Sequence, residues 1–258
     1  MFRFTIFAND RHPYLKKEVE DFCAHFIREG NLRDDVNPQI IFVFGGDGTL
    51  LAALKALYQK NAPFMLINDG TLGFYKECDL KDIAELYQSF SFEKLILEKH
   101  RFISLTDEEG NQAMACNEFV LGSSIRTMDF VIYINNDYFM EVKGSGVCIS
   151  SPFGSSGYNH SLNGALLGKE NGMAISLIAP IRNRIFHPLV NSLVTGLEDT
   201  VQIEIINDIP FELAGDMRLI ASPKGKKFSI KMSEVSFSLA HSKPFSEYQR
   251  IRKNFIEN

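Results

Sequence analysis

The sequence predicts an α/β domain built on a parallel sheet, followed by a β-rich domain. Two observations carry the prediction. Up to about residue 98, apolar runs of strand length alternate with stretches of helical periodicity, the pattern of a parallel sheet with helices on both faces. From about His100 the texture changes to short apolar segments separated by turn residues, as in an all-β region. A chain of 258 residues accommodates both. The expected division is 1–98 for the α/β domain and 99–242 for the β-rich domain, with a terminal helix at 243–258 packing back on the first.

Each element follows from local pattern. Phe2 to Phe7 reads as a strand, and Pro13 to Glu29 as a helix with Leu15, Val19, Phe22 and Phe26 on one face and Gly30 ending it. Ile40 to Phe44, preceded by Gln39, is apolar throughout, as in a strand buried on both faces. The segment 49–60 is rich in Leu and Ala and has no breaker, so it reads as a helix. Pro63 to Ile67 is a third strand, and Asp79 or Leu80 opens a helix running to about Phe90. Strand candidates in the second half are 101–106, 113–121, 129–134, 138–142, 146–150, 174–179, 200–206, 211–214, 227–232 and 234–239. Asn135-Asn136-Asp137 reads as a hairpin tip, and Asn159 to Leu167 as helix-like. Phe245 to Phe255 regains helical spacing through Tyr248, Ile251 and Phe255.

Composition excludes several classes. Net charge is −5 with no block of five like charges, so neither a nucleic-acid surface nor an anionic-membrane surface is indicated. No apolar stretch is long enough to span a bilayer, and Met1 to Phe7 is too short and too alternating for a signal peptide. The four cysteines, Cys23, Cys78, Cys116 and Cys148, are far apart and form no CxxC pair, which fits buried free thiols in a reducing cytoplasm. The six histidines show no metal-ligand spacing, and no protein metal site is expected. The 22 Phe without a single Trp point to no function.

The most informative segment is Gly45-Gly46-Asp47-Gly48-Thr49, placed between a strand and a helix. Unpaired N–H groups and the positive end of the helix dipole face such a turn, and glycines allow phosphate to approach the backbone. An acid there repels a phosphate unless it holds a metal or accepts a proton, which suggests phosphoryl chemistry. The alternative is a plain strand-to-helix turn with an exposed Asp. The segment is neither a P-loop nor a dinucleotide fingerprint. Gly164 to Glu170, the nearest approach to a P-loop, is a residue short and ends in Glu where Ser or Thr is required. A second loop, Asn68-Asp69-Gly70-Thr71-Leu72-Gly73-Phe74, also falls at the carboxyl end of a strand, where ligands of parallel sheets gather. The cleft between the two domains is then the default active site.

Three segments of the second half allow two readings each. Asn117-Glu118 breaks the alternation of an apolar strand. The pair suits an adenine edge and ribose hydroxyls, or it marks a strand end or bulge. Ser150 to Asn159 is either a second phosphate cradle, with Tyr158 placed to stack on a base, or a flexible loop with an ordinary helix cap. Asp216, after Gly215, is either a turn residue or part of a site.

Taken in order, these segments resemble the NAD kinase family along nearly the whole chain, most of all its compact bacterial forms. Residues 45–49 match the family's GGDGT, 68–74 its N-x-G-x-L-G-F loop, and Asn117-Glu118 its Asn-Glu pair. Residues 152–159 resemble its Gly/Ser/Thr-rich loop ending in Ala-Tyr, and Ala179-Pro180-Ile181 its Ala-Pro-Ile segment. GGDGT alone is shared with lipid kinases and phosphofructokinases; the other segments make the match specific.

The resemblance implies a two-domain NAD-kinase-like architecture with a Rossmann-like N-terminal sheet. It implies magnesium-dependent transfer of the γ-phosphoryl group of ATP, or of polyphosphate, to the 2′-hydroxyl of the adenosine ribose of NAD, giving NADP. Asp47 is then the general base, and Gly45, Gly46, Gly48 and Thr49 cradle donor phosphates bridged by Mg2+ or another divalent cation. Asn68, Gly70, Leu72, Gly73 and Phe74 line the nucleotide site. Asn117 and Glu118 hold the ribose and adenine of NAD. Ser155, Ser156, Gly157, Tyr158, Asn159 and Ser161 line its pocket, with Phe153, Lys143, Ser145 and Ala179 also in contact. Asp216 reaches the second nucleotide arm. A cytoplasmic homodimer or homotetramer is implied, with NAD and ATP as partners and neither nucleic acid nor membrane.

The chain departs from the family at four places. It has Ser145 for Asp, Phe153 for Ser or Thr, Gly157 for Ala, and Phe186 where Tyr is common. Each lost hydrogen bond to an uncharged ligand group is worth about 1 kcal/mol, roughly fivefold in affinity. Two other readings remain: a lipid or sugar kinase sharing the GGDGT turn, and a catalytically weak dinucleotide-binding or regulatory relative.

Overall fold

The computed structural model describes residues 1–8, 14–70, 72–189, 191–216, 218–220 and 225–257. Pro13, the expected start of the first helix, and Thr71 of the second glycine loop lie outside the described residues. The chain forms two compact units, Met1–Lys99 with Phe237–Asn258, and His100–Ser236.

The first unit contains, in chain order, β1 (Arg3–Ala8), α1 (Leu15–Arg28), β2 (Leu32–Arg33), β3 (Ile40–Phe44), α2 (Asp47–Leu57), β4 (Phe64–Asn68), β5 (Cys78–Asp79) and α3 (Ile83–Ser89). The strands pair in parallel in the order β2-β1-β3-β4-β5. Alternation along β3 and β4 divides their side chains between two faces. Ile40, Phe42, Phe44, Met65 and Ile67 join Phe22 and Phe26 of α1 and Leu86 of α3 in one core cluster. Ile41, Val43, Phe64 and Leu66 turn the other way and are also buried, and α2 lies against the same two strands. That two-sided burial is why β3 and β4 are apolar at every position. The phenylalanines concentrate in this core: the Phe22 ring sits 4.8 Å from Phe26, 4.8 Å from Phe42 and 5.0 Å from Phe44. Helix α1 ends at Gly30, which takes φ +82° while the Asn31 N–H returns to the Phe26 carbonyl at 3.0 Å.

The strands that follow are β6 (Ile96–Asp107), β7 (Gln112–Ala115), β8 (Glu118–Gly122), β9 (Met128–Ile134), β10 (Asp137–Gly144) and β11 (Gly146–Ser150). After a short helix α4 (Tyr158–Ser161) come β12 (Ala174–Ile178), β13 (Leu193–Val194), β14 (Thr200–Ile205), β15 (Glu212–Gly215), β16 (Arg218–Leu219) and β17 (Lys227–His241). In the second unit one antiparallel sheet has the order β13-β12-β11-β8-β15-β16, and another runs β10-β9-β14-β17. Phe119, Leu121 and Ile149 from the first sheet meet Phe130, Ile203 and Phe228 from the second in a single core cluster, the interior of a β-sandwich. Asn135 and Asn136 take φ +55° and +70° at the β9–β10 turn, the two left-handed residues of a tight hairpin. From Phe237 onward β17 belongs to the first unit, where Leu239 pairs in parallel with Phe64. Helix α5 (Glu247–Phe255) closes the chain and is capped by the Ser246 hydroxyl, which accepts from the Gln249 N–H at 3.4 Å.

Four expectations change. Strands 227–232 and 234–239 are one strand, because the polar pair Ser233-Glu234 continues it, with the Ser233 carbonyl accepting from Arg101 at 2.7 Å. The strand over 113–121 is interrupted at Cys116-Asn117. The helix read over 159–167 stops at Ser161: Asn163 takes φ +59°, and the Ala165 carbonyl is held by the Asn159 side chain. The helix from Asp79 or Leu80 opens with a 3₁₀ turn, Leu80–Asp82, before α3.

Phe22 tests the first core. Phe22→Ala removes a fully buried ring and is expected to cost about 3–5 kcal/mol, read as a lower midpoint in denaturant unfolding.

Candidate active site

The glycine turn of the first unit is built by sterics and then locked by a carboxylate. Gly45 takes φ +146°, a conformation that L side chains avoid. A methyl group there would also fall 2.2 Å from Thr49 Oγ1. Its N–H donates to the Ile67 carbonyl at 3.1 Å, which fixes the turn to the end of β4. Gly46, extended, precedes α2, and Asp47 is the first helical residue. The Asp47 carboxylate accepts from the Phe74 N–H at Oδ2 (2.8 Å) and from the Tyr75 N–H at Oδ1 (3.1 Å). An ionised carboxylate has about four acceptor positions, so two hydrogen bonds orient it and leave others open.

The second loop is organised by Asn68. Its Nδ2 donates to the Gly70 carbonyl at 2.7 Å and to Asp79 Oδ1 at 2.8 Å, and Lys76 pairs with Asp79 at 2.8 Å. Asn68 Oδ1 is buried without a hydrogen-bond partner and approaches Gly46, Gly70 and Gly73. Gly45, Gly46, Asp47, Asn68, Gly70, Gly73 and Phe74 are therefore one constellation. Gly48 is exposed, Leu72 is 76% exposed, and Thr49 is buried under Gly45.

This loop is braced from the end of the chain. Arg250 of α5 lies over the rings of Tyr75 (5.0 Å) and Phe74 (5.6 Å). Its Nη2 donates to both Glu98 oxygens, at 2.8 and 2.7 Å. Buried His241 sits between two carboxylates, with Nε2 3.0 Å from Glu98 and Nδ1 3.1 Å from Glu77. Burial pulls the His241 pKa down, but its bonds to Glu77 and Glu98 outweigh that and raise it. This ion cluster thus stabilises the fold below the ordinary imidazole pKa and loses that contribution as pH rises through the raised one.

The second unit carries a separate constellation. Asp216, at φ +50°, turns its carboxylate onto the break between β7 and β8 and accepts from the N–H groups of Cys116 (2.9 Å) and Asn117 (2.7 Å). Two amides that lose the ladder are satisfied this way. The Asn117 carbonyl accepts from the Ser151 N–H at 2.7 Å, and Ser151 Oγ donates to the Cys116 carbonyl at 2.5 Å. The Ser/Gly loop thereby lies directly on the Asn-Glu pair. A methyl on Gly154 would meet the Asn117 carbonyl oxygen at 2.3 Å, so only glycine permits the contact. One on Gly157 would meet the Gly154 carbonyl oxygen at 3.2 Å, tighter than an ordinary contact, with Asn117 Nδ2 at 3.8 Å and Glu118 Oε2 at 3.9 Å. An Ala at Gly157 therefore requires the Gly154 carbonyl to give by a few tenths of an ångström.

Glu118 is buried, and its Oε2 has no hydrogen-bond partner. Burial first, and the Asp216 charge second, push its pKa up to about 7. In the Ser/Gly loop and the helix after it, Tyr158 is 40% exposed, Ser156 half-buried and Ser161 exposed.

Three predicted contact residues have structural employment instead. Asn159 is buried, donating to the carbonyls of Ser155 (3.1 Å) and Ala165 (2.9 Å) and accepting from Ser176 Oγ (2.7 Å). Ser155 Oγ donates to the Pro152 carbonyl and accepts from the Leu167 N–H at 3.0 Å. Phe153 is buried with its ring 4.9 Å from that of His100. These residues shape the loop from beneath. Lys143, Ser145 and Ala179 form a third group along β10 and β11. Lys143 pairs with Asp129 at 2.5 Å and lies 5.0 Å over the Phe186 ring, while the Ser145 N–H donates to the Ile178 carbonyl. Ala179 takes φ +43°, and the Ile181 N–H returns to the Lys143 carbonyl at 2.7 Å.

Sequence reading passed over Tyr75, Ser151 and the Arg250 cluster. Only Ser151 carried a signal, as the small polar residue starting the Ser/Gly loop. All four cysteines are free, as expected. Among the described residues no helix is long and apolar enough to cross a membrane.

A sequence model of the ATP-NAD kinase N-terminal domain matches residues 7–94, the segment that holds both glycine loops. The chain is 28% identical to NAD kinase 1 of Halalkalibacterium halodurans, over 98% of each chain. It is 26% identical to the NAD kinase of Geobacillus stearothermophilus, over 99% of this chain and 96% of that one. Over nearly its whole length the chain is similar to bacterial NAD kinases. Those relatives are kinases, and the fold agrees with theirs. The yeast NADH kinase complexed with NADH superposes with a TM-score of 0.80 at 15% identity, covering 100% of this chain and 89% of that one. An Archaeoglobus fulgidus NAD kinase in complex with ATP gives 0.74 at 18% identity, covering 98% and 97%. At such identities the likeness is one of fold.

Gly45→Ala tests the turn. Its clash with Thr49 and its disallowed φ are expected to cost at least about 2 kcal/mol, read as a lowered Tm, whereas Gly157→Ala, with an ordinary φ and one tight contact, lowers Tm less.

Proposed function

We propose that this protein is an NAD kinase, transferring the γ-phosphoryl group of ATP, or of polyphosphate, to the 2′-hydroxyl of the adenosine ribose of NAD and producing NADP. The observation that carries this reading is the Asp47 carboxylate, seated in a glycine turn at a helix start and aimed by two backbone N–H groups. Phosphoryl transfer requires little covalent chemistry from a protein: it needs positioned phosphates and a group that takes the proton from the nucleophile. In this reading the free N–H groups around Gly46 and Gly48 bind donor phosphate. Asp47 accepts the 2′-hydroxyl proton as the oxygen attacks phosphorus and the terminal phosphoanhydride bond breaks.

Glu118 and Asn117 are the proposed holders of ribose and adenine. A buried carboxylate oxygen without a donor is suited to an incoming hydroxyl or amino group, and Asn117 supplies an amide next to it. Tyr158, Ser156 and Ser161 line the more open side of the same loop. Asp216 acts on this site from behind, by holding the Cys116 and Asn117 backbone. Lys143, Ser145 and Ala179 are proposed to reach the other end of the dinucleotide.

Among the described residues no three His, Cys, Asp or Glu side chains gather as a metal cage. The proposal includes a divalent cation carried in on the donor phosphates, the usual habit of Mg2+. Such a cation would neutralise charge developing on the donor phosphates, which the glycine turn around Gly46 and Gly48 would hold. A homodimer or homotetramer in the cytoplasm remains part of the proposal.

The decisive experiment supplies purified protein with NAD, Mg2+ and either ATP or polyphosphate, and reads NADP through an NADP-specific dehydrogenase. Turnover is expected, and the donor that supports it names the natural one. NAD binding with no product under either donor would replace this reading by that of a regulatory relative. Asp47→Asn is expected to lower kcat about 10²–10⁴-fold while NAD binding persists; unchanged turnover would sink the general-base role.

Glu118 sets a pH dependence. Below about pH 7 it is protonated, and above that it is a carboxylate able to accept from two donors. The KM for NAD is therefore expected to fall about tenfold as pH rises through about 7. Glu118→Gln should bind NAD weakly and without that slope.

A further inference from the structure

The C-terminal helix touches the proposed catalytic group through two intermediaries, and every link lies in the first unit. Asp47 is held by the N–H groups of Phe74 and Tyr75. The rings of those same two residues pack edge to face, 4.9 Å apart, and the Arg250 guanidinium covers both. Phe255, one turn beyond, adds a ring contact to Phe74 at 5.8 Å. Arg250 is itself immobilised: its side chain is 12% exposed, its Nη2 bonds both oxygens of Glu98, and the Phe245 ring lies 5.6 Å away. Glu98, 1% exposed, is fixed on its other side by His241, and His241 by Glu77. Glu77 in turn accepts from the N–H and hydroxyl of Ser242.

We propose that Arg250 is a positioning residue for Asp47, setting the direction of the Phe74 and Tyr75 amides by holding their rings. A guanidinium suits the task because it is planar. It stacks on aromatic faces and bonds a carboxylate at its edge, which an ammonium does less well. The rings cannot turn without leaving the guanidinium, and the two amides follow the rings through one Cα each. Helix α5 is thus a strut of the catalytic turn, although it contributes no atom to it. A reacting group displaced by about 1 Å typically loses on the order of 10²-fold in rate, so a contact this indirect governs turnover. The inference rests on the proposed role of Asp47.

Two measurements on Arg250→Met and Arg250→Lys test it. The first is hydrogen exchange at the Phe74 and Tyr75 amides, which needs no catalysis. Both amides are expected to be protected in the parent, to exchange at least about tenfold faster in Arg250→Met, and to be intermediate in Arg250→Lys. The second is steady-state kinetics: Arg250→Met should lower kcat about 10²-fold with KM for NAD and ATP nearly unchanged, and Arg250→Lys should recover part of that loss. Parental amide protection in a folded Arg250→Met protein overturns the strut. Equal losses in kcat and affinity reassign Arg250 to general stability and overturn it as well. Should Arg250→Met fail to fold, Arg250→Lys decides by the same two readouts. If the parent makes no NADP, the functional reading fails on its own, while amide exchange still tests the strut.

Discussion

The pair of hydrogen bonds from the Phe74 and Tyr75 amides to Asp47 joins two loops that the sheet merely brings near one another. A carboxylate among backbone N–H groups that face phosphate is an electrostatic liability unless its direction is fixed. Here the fixing is done by main-chain donors, which have no rotamers to lose. Much of the local architecture serves those donors. Gly45 makes the turn that starts α2 on Asp47, and Asn68 folds the second loop back on itself through Gly70 and Asp79. Arg250 presses on the rings from outside. The parallel sheet places the ends of β3 and β4 side by side, with Phe44 against Ile67, and the two loops begin there.

The parts of this arrangement that sequence reveals are those written in short-range pattern. Continuous apolar runs announced β3 and β4 because both faces of those strands are covered. The Asn135-Asn136 hairpin was legible because two consecutive positive φ angles demand residues of that kind. The glycine turn was legible because a strand, a glycine pair and a helix former follow one another without interruption. What stayed hidden is closed over distance. The Tyr75 amide finds Asp47 across 28 positions, and Asp216 finds Cys116 across 100. No local signal tells a turn aspartate from one that caps a broken strand. Nor does composition separate a hydroxyl or amide that meets a ligand from one consumed inside the loop, which is how Ser155 and Asn159 came to be read as contacts. Phe153 shows the same limit from the other side: it reads as the loss of a polar contact, and it is a core residue packed on His100.

The two acids assigned to the chemistry live in opposite environments, and the contrast explains how one chain can ask different things of them. Asp47 is half-buried at a helix start, its carboxylate oriented by two amide donors. Glu118 is buried next to a second carboxylate, with one oxygen unpartnered and its pKa pushed up to about 7. The proposed proton acceptor must be aimed before its substrate arrives, and two main-chain donors aim Asp47. A recognition group has a different requirement. Leaving a buried acceptor unmet costs the free fold about 1–3 kcal/mol, and a ligand bringing a donor to that oxygen removes the cost on binding. An analogue without that donor leaves the cost in place, so in the proposed function Glu118 would discriminate more by what it refuses than by what it attracts. Asp216 sharpens the effect twice over: it fixes the backbone that carries Glu118, and its charge makes ionising Glu118 harder until a donor is present.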